Sequence, residues 1–230
     1  MAAGRPPGGS RLVSAVLATV NLGVERTGSW TDVGRSGIDK RPVPHRVTAR
    51  TWGLEGDLVA NPKVHGGPDK AVYAFAREDA VFWEHELGRE VLPGNVGENF
   101  STTGLDITGA EVGEQWAIGD AVFEVIRARK PCRVFAGFWD VPDLVTRFIA
   151  HGAPGAYLRV LKEGTVGAGD PIEIVKRPGH GVTIGLMLRA LTTERHLLPR
   201  FLDAPQMLPK HHEKARQWLA AHHETESVTR

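Results

Sequence analysis

Cysteine is nearly absent: Cys132 stands alone in 230 residues. A single cysteine forms no intrachain disulfide and excludes zinc sites built from several thiolates. A reducing, cytoplasmic setting is the expectation. Long apolar runs are also missing, since none reaches the roughly 18 residues that a membrane-spanning helix needs. Neither sign of charge dominates: 28 Lys and Arg face 27 Asp and Glu, for a net charge of +1. That balance excludes a bulk basic nucleic-acid binder and an acidic disordered tail protein. Neither nucleic acid nor membrane is therefore expected as a partner. Aromatic residues make up only 7%, whereas 27 glycines and 15 prolines point to many turns and a β-rich, loop-rich chain. The 41% hydrophobic content suffices for one main domain with a small appendage.

Residues 1–10 read as a disordered leader. Leu12 to Val20, preceded by Arg5 and Arg11, imitates a short signal peptide. Ser14 interrupts it and Val16-Leu17-Ala18 is a poor cleavage site, so a first strand is the better reading. Short strands and loops follow to Val64. Arg77 to Glu90 reads as a helix ended by Gly88, with Ala80, Trp83, Glu84 and Leu87 near one face. Glu114 to Ala128 reads as a hairpin turning at Gly119-Asp120, although its apolar alternation is imperfect. A second helix is expected from Pro142 to His151, and strands at Tyr157 to Val160 and Ile172 to Val175. Pro178 to Gly181 reads as a linker. Beyond it, Gly185 to Leu198 and Lys210 to His222 look helical, separated by a loop holding Pro199, Pro205 and Pro209. The expected class is mainly β with helices: a β-rich domain over 11–177 and a small helical extension over 182–225.

Three segments carry chemistry. In Lys130-Pro131-Cys132-Arg133 the thiol sits among Arg127, Arg129, Lys130 and Arg133. Thiolate is the form that binds metals and attacks electrophiles, and nearby cations favour it. The bland alternative is a buried, inert thiol. In His65-Gly66-Gly67-Pro68-Asp69-Lys70 the paired glycines allow a ligand close to backbone N–H groups, and His and Lys add donors suited to phosphate. The segment lacks the Gly-Lys-Ser/Thr ending of a Walker loop. Gly94-Asn95-Val96-Gly97-Glu98-Asn99-Phe100 offers amides able to donate and accept at a heteroaromatic edge. Taken singly, both glycine-rich segments read more readily as tight turns. His211, His212, His222 and His223 read as a solvated helix face. No G-x-S-x-G elbow occurs.

In order, His-Gly-Gly-x-Asp-Lys-Ala, Gly-Asn-x-Gly-Glu-Asn-Phe, x-Ile-Gly-Asp, Lys-Pro-Cys-Arg and Gly-Ala-Tyr-Leu-Arg-Val-Leu-x-x-Gly resemble the MOSC family, from about Leu12 to Val175. The family is named for the C-terminal domain of molybdenum-cofactor sulfurases. The chain looks most like the stand-alone bacterial members linked to hydroxylaminopurine resistance, whose three-helix extension Val182 to His223 resembles. The resemblance implies a MOSC-type, pyruvate-kinase-barrel-like β-barrel over 11–177. It also implies a molybdenum cofactor (molybdopterin), with Cys132 as metal ligand. Pyridoxal phosphate binding enters only as a family-level label. Related enzymes reduce N-hydroxylated compounds, which would make this chain an oxidoreductase. Cys132 and Glu98 are then the expected catalytic residues, with Glu98 delivering a proton. His65, Gly66, Gly67, Lys70, Asn95, Asn99, Arg133 and Arg159 are expected to bind the cofactor. Expected partners are a small N-oxygenated substrate and a separate flavin or iron–sulfur electron donor, because no ferredoxin-type cluster or Rossmann fingerprint is present. The tail would dock that donor, form a homodimer contact or only cover barrel surface. Another reading makes Cys132 a carrier of cofactor or sulfur without turnover. A third is a cysteine hydrolase, which needs a His within reach of the sulfur.

Overall fold

The computed structural model describes residues 15–228; the expected leader at 1–10 lies outside them. Eleven strands appear among the described residues: β1 (Val16–Thr27), β2 (Arg35–Pro42), β3 (Val47–Arg50), β4 (Gly53–Leu54), β5 (Val72–Ala76), β6 (Phe100–Thr103), β7 (Gln115–Ile118), β8 (Ala121–Ala128), β9 (Ala156–Lys162), β10 (Gly164–Val166) and β11 (Ile172–Lys176). The helices are α1 (Pro62–His65), α2 (Arg77–Leu87), α3 (Arg133–Trp139), α4 (Leu144–His151), α5 (Ile184–Leu191) and α6 (Pro209–Val228). Tight 3-10 turns lie at Pro68–Lys70 and Arg195–Asp203.

Eight strands form one sheet in the order β11-β7-β8-β9-β5-β6-β1-β2, and β10-β3-β4 form a second. The class is mainly β with helices, as expected, but no continuous ladder closes the large sheet into a barrel. Its curl is tied by a single bridge between Val16 and Pro171, flanked by Leu17 N–H to Asp170 O and Ile172 N–H to Ala15 O. Gly169 N–H to Leu17 O adds a third bond, and the seam goes no further.

β5 and β6 are parallel, joined through α2; a crossover of this kind needs a helix-length connection. Glu78 and Asp79 in the first turn of α2 complement its dipole, and Gly88 ends it at φ 62°. The return from α2 to β6 is the second glycine-rich segment. The imperfect alternation in β8 has a cause: its register with β9 shifts between Val125 and Arg127. A bulge of this sort changes which face later side chains occupy.

α3 has no sequence signature of its own. Val134, Phe135, Ala136 and Trp139 are all buried, and a short helix that is apolar around most of its girth shows no 3.6-residue stripe. It packs with α2 and α4 on an aromatic cluster of Tyr73, Phe75, Trp83, Phe135, Trp139 and Phe148.

The linker expected at 178–181 is clamped. Glu111 accepts from the N–H groups of Gly179 (2.5 Å) and Gly181 (2.8 Å). Thr183 caps α5 by accepting from the Leu186 N–H. Ile184, Met187, Leu188, Leu198 and Phe201 then enter the same core as Leu17, Val72 and Trp116. Pro199 stands inside the 3-10 turn, not in a loop.

His211 departs from the expected solvated face. It is 7% exposed, its ring is edge-on to Phe201 at 5.9 Å, and among the described residues its Nε2 meets no partner. Burial, then Arg127, Lys210, Lys214 and His212, lower its pKa from 6.5 to about 4. The unfolded imidazole takes a proton below 6.5 while the folded one refuses it until about 4, so stability falls as pH falls through that window. We expect a loss of up to about 3 kcal/mol across it, and a shallower slope in His211→Gln. Thermal melts at pH 6.5, 5.5 and 4.5 measure both; parallel slopes would refute the assignment.

Candidate active site

A cleft opens where the segment 57–61, the end of β8 and the starts of α1 and β5 converge. Counted out to its mouth, its empty space is about 880 Å³. Two glycines set its wall. A Cβ on Gly37 would stand 2.2 Å from the Leu58 carbonyl oxygen, and one on Gly23 would stand 3.0 Å from it. Residues 57–61 can therefore lie flat on β1 and β2 only because those positions lack side chains.

Cys132 lines this cleft. β8 ends at Ala128, and Pro131 cannot extend a strand ladder. The chain stays extended at Cys132 (φ −138°, ψ 171°), which is the N-cap of α3. Its carbonyl accepts from the N–H groups of Phe135 and Ala136. The residue is half-buried and packs on the aromatic cluster beside Tyr157.

The first glycine-rich segment supplies His65 and Lys70 to the same cleft. Gly66 and Gly67 do not line it. They turn the chain between α1 and the following 3-10 turn, with Gly67 at φ 99°, a conformation that favours glycine. Burial, then Lys70 and Arg129, hold the His65 imidazole below its usual pKa; Asp32 opposes them. Burial, then Arg127 and Lys210, lower Lys70. The helical extension thus adds a positive charge near the cleft through Lys210.

The second segment contributes Gly97 and Asn99 to the lining. Asn99 Oδ1 accepts from the Tyr73 N–H (3.1 Å), and its Nδ2 donates to Asp57 Oδ2 (2.8 Å) and Asn21 O (3.3 Å). Asp57 also accepts from Lys40 Nζ at 2.6 and 2.7 Å and from the Gly23 N–H at 2.7 Å. Lys40 and Asp57 both line the cleft as a nearly dry ion pair.

Glu98 is not brought into the cleft. It is 1% exposed, and its oxygens accept from the N–H groups of Gly94 and Val96 and from Ser101 Oγ. Asn95 also lies elsewhere, with Oδ1 accepting from the Leu92 N–H and its carbonyl from Trp139 Nε1. Arg133 is exposed and pairs with Asp32 at 2.5 Å. Arg159 is held by Asp69 (2.5 Å) and Glu124 (3.1 Å). Of the residues singled out in the sequence, the structure gathers Cys132, His65, Lys70 and Asn99.

Sequence reasoning missed Tyr73, Tyr157 and the Lys40–Asp57 pair, and did not place Arg129 in the site; all are on the cleft wall. Arg129 was visible as one of the cations near Cys132; its inward placement follows the bulge in β8. Burial raises both tyrosine hydroxyls above their usual pKa. Tyr73 and Tyr157 are opposite each other on β5 and β9, with rings 5.3 Å apart.

The description of the MOSC domain matches residues 61–173, a span holding both glycine-rich segments and Cys132. Protein YflK of Bacillus subtilis (strain 168) is 34% identical over 169 residues, covering 73% of this chain and 76% of YflK. A reductase of Gibberella moniliformis is 30% identical over 71% of this chain but only 30% of its own length. The crystal structure of YiiM from Geobacillus stearothermophilus superposes with a TM-score of 0.74 at 28% identity, over 89% of this chain and 99% of that one. No feature of the cleft and no relative supports the pyridoxal phosphate label. Among the described residues, no helix is long and apolar enough to cross a membrane. The match of segments, sequence and fold shows that the chain belongs to the MOSC domain family.

Proposed function

We propose that this chain is an oxidoreductase that binds the molybdenum cofactor through Cys132 and reduces N-hydroxylated compounds, hydroxylamino bases among them. The family is associated with molybdenum-cofactor binding. The observation that carries the reading is the one thiol of the chain, which lines a cleft together with His65, Lys70 and Arg129. The donor set fits the group. Among the described residues no three His, Cys, Asp or Glu side chains converge on a metal position, and the cleft offers a single thiolate. A metal that brings a dithiolene of its own matches that offer.

Cys132 would hold the metal, and His65, Lys70 and Arg129 would face the anionic part of the cofactor. Asn99, fixed by Tyr73 and Asp57, would present a rigid edge to the bound group. When bound, the cofactor supplies two-electron redox chemistry suited to taking oxygen from an N–OH group. Overall, R–NHOH with two electrons and two protons gives R–NH2 and water; the electrons come from a separate donor protein. Tyr157, its phenol kept protonated through neutral pH, is the proposed proton source. Glu98 is spent on backbone donors and takes no part.

A cleft that the Cys132 side chain shares with His65, Lys70 and Tyr157 favours an enzyme over a carrier, which needs only a sulfur facing a partner surface. The hydrolase reading is weaker still, since among the described residues no hydrogen bond joins the Cys132 sulfur to an imidazole. The test is to supply reduced holoprotein from a cofactor-competent host with an aromatic hydroxylamine. Amine should form in step with oxidation of the protein; molybdenum bound without amine formation would support the carrier instead.

A further inference from the structure

The helical extension carries a face that the cleft does not use. On α6, Lys210, Lys214, Trp218 and His222 recur every four residues and so share one side of the helix. Lys210, Lys214 and His222 are exposed, whereas Trp218 is half-buried, its ring stacked on His222 at 3.9 Å. A shallow groove beside them is lined by Arg195, Leu198, Lys214, Gln217, Trp218 and His222. The fold gains little from these charges. α6 has no acidic residue in its first turn, where a cation such as Lys210 opposes the helix dipole. Like charges at positions 210 and 214 repel each other. The carboxylates nearby in sequence are already taken: Glu194 pairs with Arg189, Asp203 with Arg200 and Glu213 with Arg216. Among the described residues, Arg195, Lys210 and Lys214 meet no carboxylate within ion-pair distance. Lys210 brings the stripe to the cleft. After burial, Arg127 lowers its pKa while Asp69 opposes, and its own charge helps to lower that of Lys70 on the cleft wall.

We propose that this face of α6 docks a small acidic electron-transfer protein, with Lys210, Lys214 and Arg195 meeting its carboxylates and Trp218 making the apolar contact. The inference rests on the preceding reading of the chain as a reductase, which consumes two electrons from a donor protein for each N–OH group. Three observations select this occupant. Unpaired surface cations attract a partner of the opposite sign and speed its encounter. A half-buried tryptophan beside a shallow groove is the kind of side chain that anchors a protein contact. From Lys210 to His222 the stripe extends about 18 Å at 1.5 Å per residue, which suits the small interfaces of redox encounters, and its Lys210 end lies toward the cleft. A nucleic-acid backbone, charged along its whole length, gains less here, because Glu194 and Glu213 adjoin Arg195 and Lys214.

The experiment titrates the full-length protein with a flavodoxin, a small acidic flavoprotein, and measures Kd by calorimetry at about 20 and about 200 mM salt. Wild type is expected to bind at the lower salt and to lose at least about tenfold in affinity at the higher. Lys210→Glu combined with Lys214→Glu should lose at least about tenfold at the lower salt and flatten the salt dependence. This double variant should melt no lower than wild type, since an acid in the first turn of α6 favours the helix dipole. If it does not fold, Lys214→Glu alone should still lose severalfold. Arg216→Glu, on the opposite side of α6, should bind as wild type does. Wild-type affinity in the variant that folds, no binding by wild type, or an equal loss in Arg216→Glu overturns the proposal. So does a single-stranded oligonucleotide that binds the stripe more tightly than the flavodoxin. Failure of the molybdenum reading looks different: holoprotein would form no amine from a hydroxylamine, while flavodoxin binding and its loss in the double variant stood.

Discussion

Cys132→Ser protein from a cofactor-competent host should carry less than about a tenth of the molybdenum held by wild type, because a neutral hydroxyl replaces a soft anionic sulfur. The substitution is unusually clean. Cys132 makes its hydrogen bonds through its backbone carbonyl, to Phe135 and Ala136, and these do not depend on the side chain. It also occupies the N-cap of α3 without a side-chain cap bond. Serine is among the preferred residues there, so the variant should be as stable as wild type or more stable by up to about 1 kcal/mol. Loss of metal with an unchanged or raised melting temperature assigns the sulfur as ligand. Equal metal in both proteins would remove the ligand from the proposal, and a lowered melting temperature would show that the thiol serves packing.

The sequence reveals those parts of this protein whose cause is local. α2 shows in its acidic first turn and in Gly88; the β7–β8 hairpin shows in Gly119-Asp120 between apolar runs. Cys132 shows because it is solitary and flanked by cations. What escaped depends on contacts distant along the chain. Lys40 finds Asp57 across 17 residues, and Asp57 finds Asn99 across 42, with nothing near either to announce the pairing. α3 is hidden because its surroundings bury most of its surface. The barrel expectation went one step too far, because the start of β1 meets the chain before β11 through one bridge and a few flanking bonds, not a continuous ladder.

Glu98 separates a motif from a role. Its place among glycines and amides suggests a proton carrier, whereas its surroundings make it a clamp. Oε1 accepts from the Gly94 N–H at 2.7 Å and from Ser101 Oγ at 2.8 Å, and Oε2 accepts from the Val96 N–H at 3.0 Å. Ser101 Oγ in turn accepts from Asn21 Nδ2 at 3.0 Å, so its proton is committed to Glu98. Glu98→Gln keeps the shape but substitutes a donor for one acceptor. Either placement of the amide sets its nitrogen against a backbone N–H, and one buried donor left unmet costs about 1–3 kcal/mol. A loss of about 2 kcal/mol corresponds to roughly 4–8 °C in melting temperature for a chain of this size. Asn99, the next residue, should lose its hold on Tyr73 and Asp57, weakening the cleft wall.

The pH dependence gives a second readout of the same residue. Burial raises the Glu98 pKa above 4.5, and the donors from Gly94, Ser101 and Val96 only partly offset it. The folded value exceeds the unfolded one, so the stability contributed by the protonated carboxyl is present below 4.5 and is lost as pH rises through the folded value. Glu98→Gln should abolish that slope. A proton carrier predicts the opposite pattern, with a wild-type melting temperature and slowed amine formation. Melting curves from pH 4 to 8, set beside turnover of the same preparations, distinguish the two; an unchanged melting temperature with lost turnover would return Glu98 to catalysis.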